Sequence, residues 1–208
     1  MSWNLENTDV SYTSSPWTLQ SDLALPERGW RAIDQAGLTV DRLLSVRCSS
    51  TLSPMQEAYC QQGDLIVRYP QTQANGVGLD IRYQITSVTA NRLVLQGTIA
   101  LQTRDFEAHP ELCVSVGNVS SPELTPVSTW SENELHLAVV IDPIDVAQAK
   151  LVTEQNGERA ILFFGEFMER GVIRKCRLRL ILALNDRSLL ETQRELEALS
   201  SEPLPLVS

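Results

Sequence analysis

The sequence is poor in the residues from which most catalytic and metal centres are built. It has only two histidines, His109 and His136, in 208 residues, which excludes a histidine-rich metal centre. The four cysteines, Cys48, Cys60, Cys113 and Cys176, are 12, 53 and 63 positions apart, with no C-x-x-C pair. Zinc ligands come in close pairs, so no metal is expected and nothing calls for a cofactor. Cys48 and Cys60 could meet across a hairpin, although free thiols suit a reducing compartment better. There is no Walker loop, no G-x-G-x-x-G, no G-x-S-x-G and no H-E-x-x-H. Phosphate-loop, dinucleotide, nucleophile-elbow and zincin chemistries therefore have no motif to rest on, and no catalytic residue is assigned.

A basic surplus is also missing. Lys and Arg number 17 against 26 Asp and Glu, a net charge of -9 with a pI of about 4.7. Phosphate contacts need excess cations, so non-specific nucleic-acid binding is excluded and docking on an anionic membrane is disfavoured. No apolar run is long enough to span a bilayer, and residues 1–15 have neither the basic nor the apolar region of a signal peptide. The expectation is a cytoplasmic chain whose partner is a protein or a small molecule, with self-association left open.

What the chain does have is β-patterning. Its hydrophobic fraction of 43% with 21% charged residues suits a globular domain whose core needs neither disulfide nor metal. Val77, Leu79, Ile81, Tyr83 and Ile85 share one parity, and Asp80, Arg82, Gln84 and Thr86 the other, the period of a half-buried strand. Leu93, Leu95, Ile99 and Leu101 repeat the pattern, with Gly97 marking a bulge or a close approach. Further strands are expected at 16–25, 43–48, 57–60, 64–69, 112–116 and 134–141. Pro26 to Gly37 suits a short helix or a continuation of the sheet, and Asp145 to Thr153 suits either state. Asn156-Gly157 is a hairpin dipeptide.

Tight turns without long helices between strands imply antiparallel pairing. The fold expected is therefore all-β: an antiparallel sandwich, or a partly closed barrel, of about ten strands with a C-terminal helix. Residues 1–15 read as a polar arm, 16–185 as the β domain, 186–200 as the helix and 201–208 as a flexible tail. Ser188 and Glu191 match a capping box, and Leu189, Leu196 and Leu199 form the helix's apolar stripe.

Ile161 to Leu184 reads as a long hairpin closed by Glu169-Arg170-Gly171, and its second strand carries Lys175, Arg177 and Arg179 at period two. Those cations could form a docking stripe for an acidic partner, or a solvated face paired with nearby carboxylates. Trp130, beside a Ser/Pro-rich loop, is the aromatic best placed to be an exposed stacking platform. An alternative cluster is Asp105, Glu107 and His109, which share one side of an extended loop and could serve as an acid–base group. His136 reads as structural, and Asp142 and Asp145 as turn residues around Pro143.

The segments Gly63-Asp64-Leu65-Ile66-Val67-Arg68-Tyr69 and Glu169-Arg170-Gly171-Val172-Ile173-Arg174-Lys175 resemble those of an uncharacterised bacterial family of all-β proteins of similar length. That resemblance implies an all-β fold and carries no activity and no site residue. The functional expectation is a non-enzymatic binding or interaction domain. The alternative is a carbohydrate-active enzyme, or a carbohydrate-binding sandwich, using a carboxylate-lined cleft.

Overall fold

Among the described residues there are sixteen strands where about ten were expected, because several segments too short to show a clear period pair nonetheless. The structure, a computed structural model, describes residues 2–72, 76–105, 107–116, 123–132, 134–153, 159–185 and 191–203. The fold is all-β, built of three antiparallel sheets.

The first sheet is a meander of β1 (Trp3–Glu6), β2 (Asp9–Ser14), β3 (Trp17–Asp22), β4 (Trp30–Ile33) and β5 (Thr39–Leu43), hydrogen-bonded in that order. The expected N-terminal arm is therefore β1 and β2. Trp3, Val10 and Tyr12 are buried, and three large side chains on one parity suffice to hold two short strands against the core. Of the two states open to residues 26–37, the helix is only a three-residue 3-10 turn, Pro26–Arg28, and the sheet continues in β4. The turn ends at Gly29, whose φ of 65° and ψ of -157° return the chain to extended structure.

Leu44, at φ 49°, then bends β5 into β6 (Ser45–Cys48). Strand β6 begins a second sheet with β11 (Leu112–Ser115), β14 (Lys150–Thr153) and β15 (Arg159–Phe163), in the order β14-β15-β11-β6. The third sheet holds the long strands. It comprises β7 (Glu57–Gln61), β8 (Asp64–Tyr69), β9 (Val77–Thr89), β10 (Arg92–Thr103), β12 (Val127–Glu132), β13 (Leu135–Ile141) and β16 (Ile173–Ala183), ordered β12-β13-β16-β10-β9-β8-β7.

The hairpin expected over 161–184 does not form. Strand β15 belongs to the second sheet, while β16 lies between β10 and β13, with Ile99 opposite Cys176 and Leu137 opposite Leu182. Both faces of β16 are largely buried, and it pairs with β10 along its whole length and with β13 over residues 178–183. Glu169-Arg170-Gly171 does make a tight turn, with Val172 N–H donating to the Glu169 carbonyl at 3.2 Å and Gly171 at φ 82°. That turn carries the chain from one sheet to the other. The bulge in β9 and β10 lies at Thr86, which the pairing skips, and Gly97 stays in register opposite Tyr83 and Leu178.

The core lies between the seven-stranded sheet and the other two. Trp30 meets Tyr83 edge to face at 5.0 Å across it. Two of the aromatics bond across the same layers: Trp3 Nε1 donates to the Gly63 carbonyl at 3.0 Å, and Tyr69 Oη to the Leu23 carbonyl at 2.6 Å. On the far face of the seven-stranded sheet lies a helix, α2 (Thr192–Ser201), after a single turn, α1 (Pro143–Val146). Leu199 and Leu196 of α2 pack on Val94, Ala138, Val140 and Ile181. Ser188 of the expected capping box, Leu189 of the expected apolar stripe and the Asn156-Gly157 turn lie outside the described residues, and Glu191 makes no side-chain capping bond. All four cysteines are free, so Cys48 and Cys60 do not pair. Among the described residues no helix is long and apolar enough to cross a membrane.

Gly29 is the position where the meander depends on glycine. A Cβ there would lie 2.6 Å from the Leu43 carbonyl oxygen, and the backbone sits in a region that only glycine occupies without strain. Gly29→Ala is expected to cost about 3 kcal/mol or more. Gly37, at φ +85° with nothing within 4 Å of a methyl placed there, is the control; Gly37→Ala should cost about 1 to 2 kcal/mol. Urea unfolding midpoints compare the two directly.

Candidate functional site

The alternation of β16 turns Cys176, Leu178, Leu180 and Leu182 into the core and Arg177 and Arg179 onto the opposite face. That face is covered. Arg177 and Arg179 are each 2% exposed beneath α2, so they form no exposed docking stripe. Arg177 Nη2 donates to Asp142 Oδ2 at 3.1 Å, to the Glu202 carbonyl at 3.0 Å and to the Leu199 carbonyl. Arg179 donates from Nε to Gln96 Oε1 at 2.7 Å, from Nη1 to Glu195 Oε2 at 2.8 Å and from Nη2 to Glu202 Oε1 at 2.6 Å. Arg92 completes the set, reaching Glu191 and Glu195 at 2.5 Å each. A guanidinium removed from water must be neutralised and hydrogen-bonded, and the acidic face of α2 supplies both. Lys175 is half-buried at the start of the same row.

Trp130 is not an exposed platform. It lies in β12 opposite Leu137, is 7% exposed, and turns into the core because the parity of the short strand puts Ser128 and Trp130 inside. Asp105, Glu107 and His109 are exposed on one loop but do not form a joined cluster. The Asp105 carboxylate lies over Gly76, while the His109 ring faces Phe167 at 6.0 Å. Ala108 is fastened to Met168 by two backbone hydrogen bonds of 2.8 and 3.3 Å. Among the described residues no group of three His, Cys, Asp or Glu is placed to hold a metal ion. His136 Nδ1 lies 3.1 Å from the Ser131 hydroxyl, its neighbour across β12 and β13.

Asp142 and Asp145 serve Arg177 and α1. Asp142 caps α1, accepting from Ile144 N–H at 3.1 Å, and Asp145 Oδ2 accepts the Arg177 backbone N–H at 2.8 Å. Burial raises Asp145 from the ordinary 3.8 to about 6, opposed by that backbone bond and reinforced by the nearby Asp142 charge. Burial also lifts the Cys48 thiol to about 12, with Cys113 adding to the effect, and Cys176 well above the ordinary thiol value. Neither is a nucleophile at neutral pH.

A groove of about 810 Å³ lies elsewhere, on the outward face of the first sheet. The strand register arranges its side chains in two rows. Asn4, Ser11, Gln20 and Arg31 stand directly opposite one another across β1 to β4. Beside them, Glu6, Asp9 and Asp22 stand opposite one another across β1 to β3. Directly opposed side chains on paired strands are about 5 Å apart, where like charges repel. Arg28 and the exposed ion pair of Arg31 with Asp41, at 3.3 Å, edge the groove. Sequence reasoning missed this site. Its signal was the outward parity opposite Trp3, Val10, Tyr12, Trp17 and Leu19, which becomes visible once residues 1–15 are recognised as strands.

No family model matches the sequence, and no curated protein matches it. Among solved structures, one assigned as a kojibiose phosphorylase from the human microbiome aligns with 94% of this chain at 9% identity and a TM-score of 0.46. The chain spans 32% of the length of that protein. A likeness this distant carries no inference about chemistry.

Two outcomes are expected from the buried network. Replacing Arg177 by Met leaves Asp142 without its buried counter-charge and should cost about 3 to 5 kcal/mol in urea unfolding. Asp145 holds its proton more tightly in the folded chain than in the unfolded one, so its contribution to stability is fully present below about pH 4 and is lost as pH rises towards 6. In Asp145→Asn, which keeps an acceptor for the Arg177 N–H, that decline should vanish and stability at pH 8 should exceed that of the parent. A pH series of unfolding midpoints measures both.

Proposed function

We propose that the protein is a binding module whose ligand lies in the groove of the first sheet, and that this ligand is a hydroxyl-rich small molecule of the saccharide class. The observation that carries this reading is the pair of opposed rows. Three carboxylates in line offer only acceptors, and the parallel row of Asn4, Ser11, Gln20 and Arg31 is rich in donors. A sugar ring presents hydroxyl groups that both donate and accept at similar spacing, so it satisfies both rows at once. Its hydroxyl protons also relieve a carboxylate row that repels itself in the free protein.

Binding fits the groove better than hydrolysis does. Paired carboxyls about 5 Å apart suit a retaining glycosidase in spacing alone. A general acid also needs enclosure to hold its proton near neutral pH; Glu6 and Asp9 are exposed and Asp22 is only half-buried.

The test is binding to a panel of neutral mono- and oligosaccharides, followed by calorimetry on any that bind. Replacing Asp9 and Asp22 together by Asn should weaken binding at least tenfold while raising the stability of the free protein by about 0.5 to 1 kcal/mol, since like-charge pairs are removed. The reading fails if no saccharide binds, or if the double variant binds as well as the parent.

A further inference from the structure

A second site lies on the opposite side of the molecule, at the C-terminal end of α2. A cavity of about 180 Å³ opens there between the outward face of the seven-stranded sheet and the chain after the helix. The sheet contributes Arg82, Gln84, Gln96, Thr98 and Arg177, and the outer wall is Glu202 with Pro203. Two guanidiniums, two amides and a hydroxyl form a lining dominated by donors. Arg177 is 2% exposed, and its Nε–H is a buried donor without a hydrogen-bond partner among the described residues. A buried donor left unsatisfied is costly, so a ligand that accepts from it relieves that cost.

Glu202 shows what kind of group the cavity takes. Its carboxylate reaches Arg179 Nη2 at 2.6 Å and stands 3.8 Å from Arg177 Nη1, yet its side chain is 45% exposed. It is an acid at the margin of a guanidinium pocket, held by the end of a helix that buries only Leu199 fully. Arg177 also pairs with Asp142 and Arg179 with Glu195. An anion that takes the place of the Glu202 carboxylate beside the two guanidiniums therefore preserves the local pairing that buried cations require.

We propose that this cavity binds a small oxyanion, which takes the place of the Glu202 carboxylate on Arg177 and Arg179 and accepts from Arg177 Nε and the Thr98 hydroxyl. Binding frees the Glu202 side chain and loosens the last turn of α2, so that the helix end reports occupancy. The site is independent of the groove on the first sheet and is built from different strands.

Inorganic phosphate is the probe, titrated into the full chain by calorimetry and by thermal unfolding against sodium chloride of equal ionic strength. Phosphate is expected to bind and to raise the unfolding midpoint beyond the chloride control. Glu202→Gln, which removes the internal competitor, should bind at least fivefold more tightly. Thr98→Val, similar in shape but lacking the hydroxyl, should bind at least fivefold more weakly. Both variants keep Arg177 with Asp142, so their folds can be verified before titration. Two results overturn the proposal: no phosphate effect beyond chloride in either the parent or Glu202→Gln, or equal affinity in all three proteins.

Discussion

Strand β16 is buried on both faces, and one of those faces carries two guanidinium groups. Neutralising them is the constraint that arranges the outer side of the seven-stranded sheet. Arg177 draws Asp142 and the carbonyls at the end of α2, and Arg179 draws Gln96, Glu195 and Glu202. The helix thus lies where its carboxylates meet the cations, with a small apolar contact through Leu199 and Leu196 beneath it. Cations at the carbonyl end also complement the helix dipole. Position is set here by charge, with hydrophobic burial secondary, the reverse of the order in the central core.

The protein therefore treats polar groups on its sheets in two ways. Beneath α2 the buried cations face carboxylates, and the pairing fixes one arrangement. On the first sheet, three carboxylates stand opposite one another in the open; Glu6 accepts from Asn4 Nδ2 at 3.3 Å and Asp22 from the Ala24 N–H at 3.0 Å, and among the described residues no cation pairs with the row. Rows of like charge at strand-pair distance are locally unfavourable, and local conflict in an otherwise consistent fold is where function is expected to reside.

Much of this was legible in the sequence, and the failures share a cause. The strict alternation in Val77–Thr89 and Arg92–Thr103 located β9 and β10, and the absence of long helices gave the antiparallel class. The parity of Arg177 and Arg179 was also correct. Period, however, identifies a face without naming what covers it. The covering carboxylates, Glu195 and Glu202, are more than 15 residues away, and nothing local to β16 signals them. The hairpin expected from Ile161 to Leu184 failed for a similar reason: adjacency in sequence favoured β15, whereas β16 pairs with β10, distant in sequence, along its whole length and with β13 over residues 178–183. Residues 1–15 were read as an arm because their apolar residues are few, yet Trp3 and Tyr12 are large enough to dock two strands. Trp130 was the best candidate for an exposed aromatic because of its polar neighbours, which are the outward-facing residues of its own strand.

The arrangement of strand lengths has a consequence for how the molecule meets copies of itself. Strands of 13, 12 and 11 residues, β9, β10 and β16, all lie in the interior of their sheet. The strands at the sheet margins, β1, β5, β6, β7, β12 and β14, have between 4 and 6 residues. Edges this short, several bearing charges such as Glu57 and Lys150, present few backbone groups in a row to a neighbouring chain. Strand-to-strand addition, the usual path from an all-β fold to fibrils, is thereby blunted at the described edges.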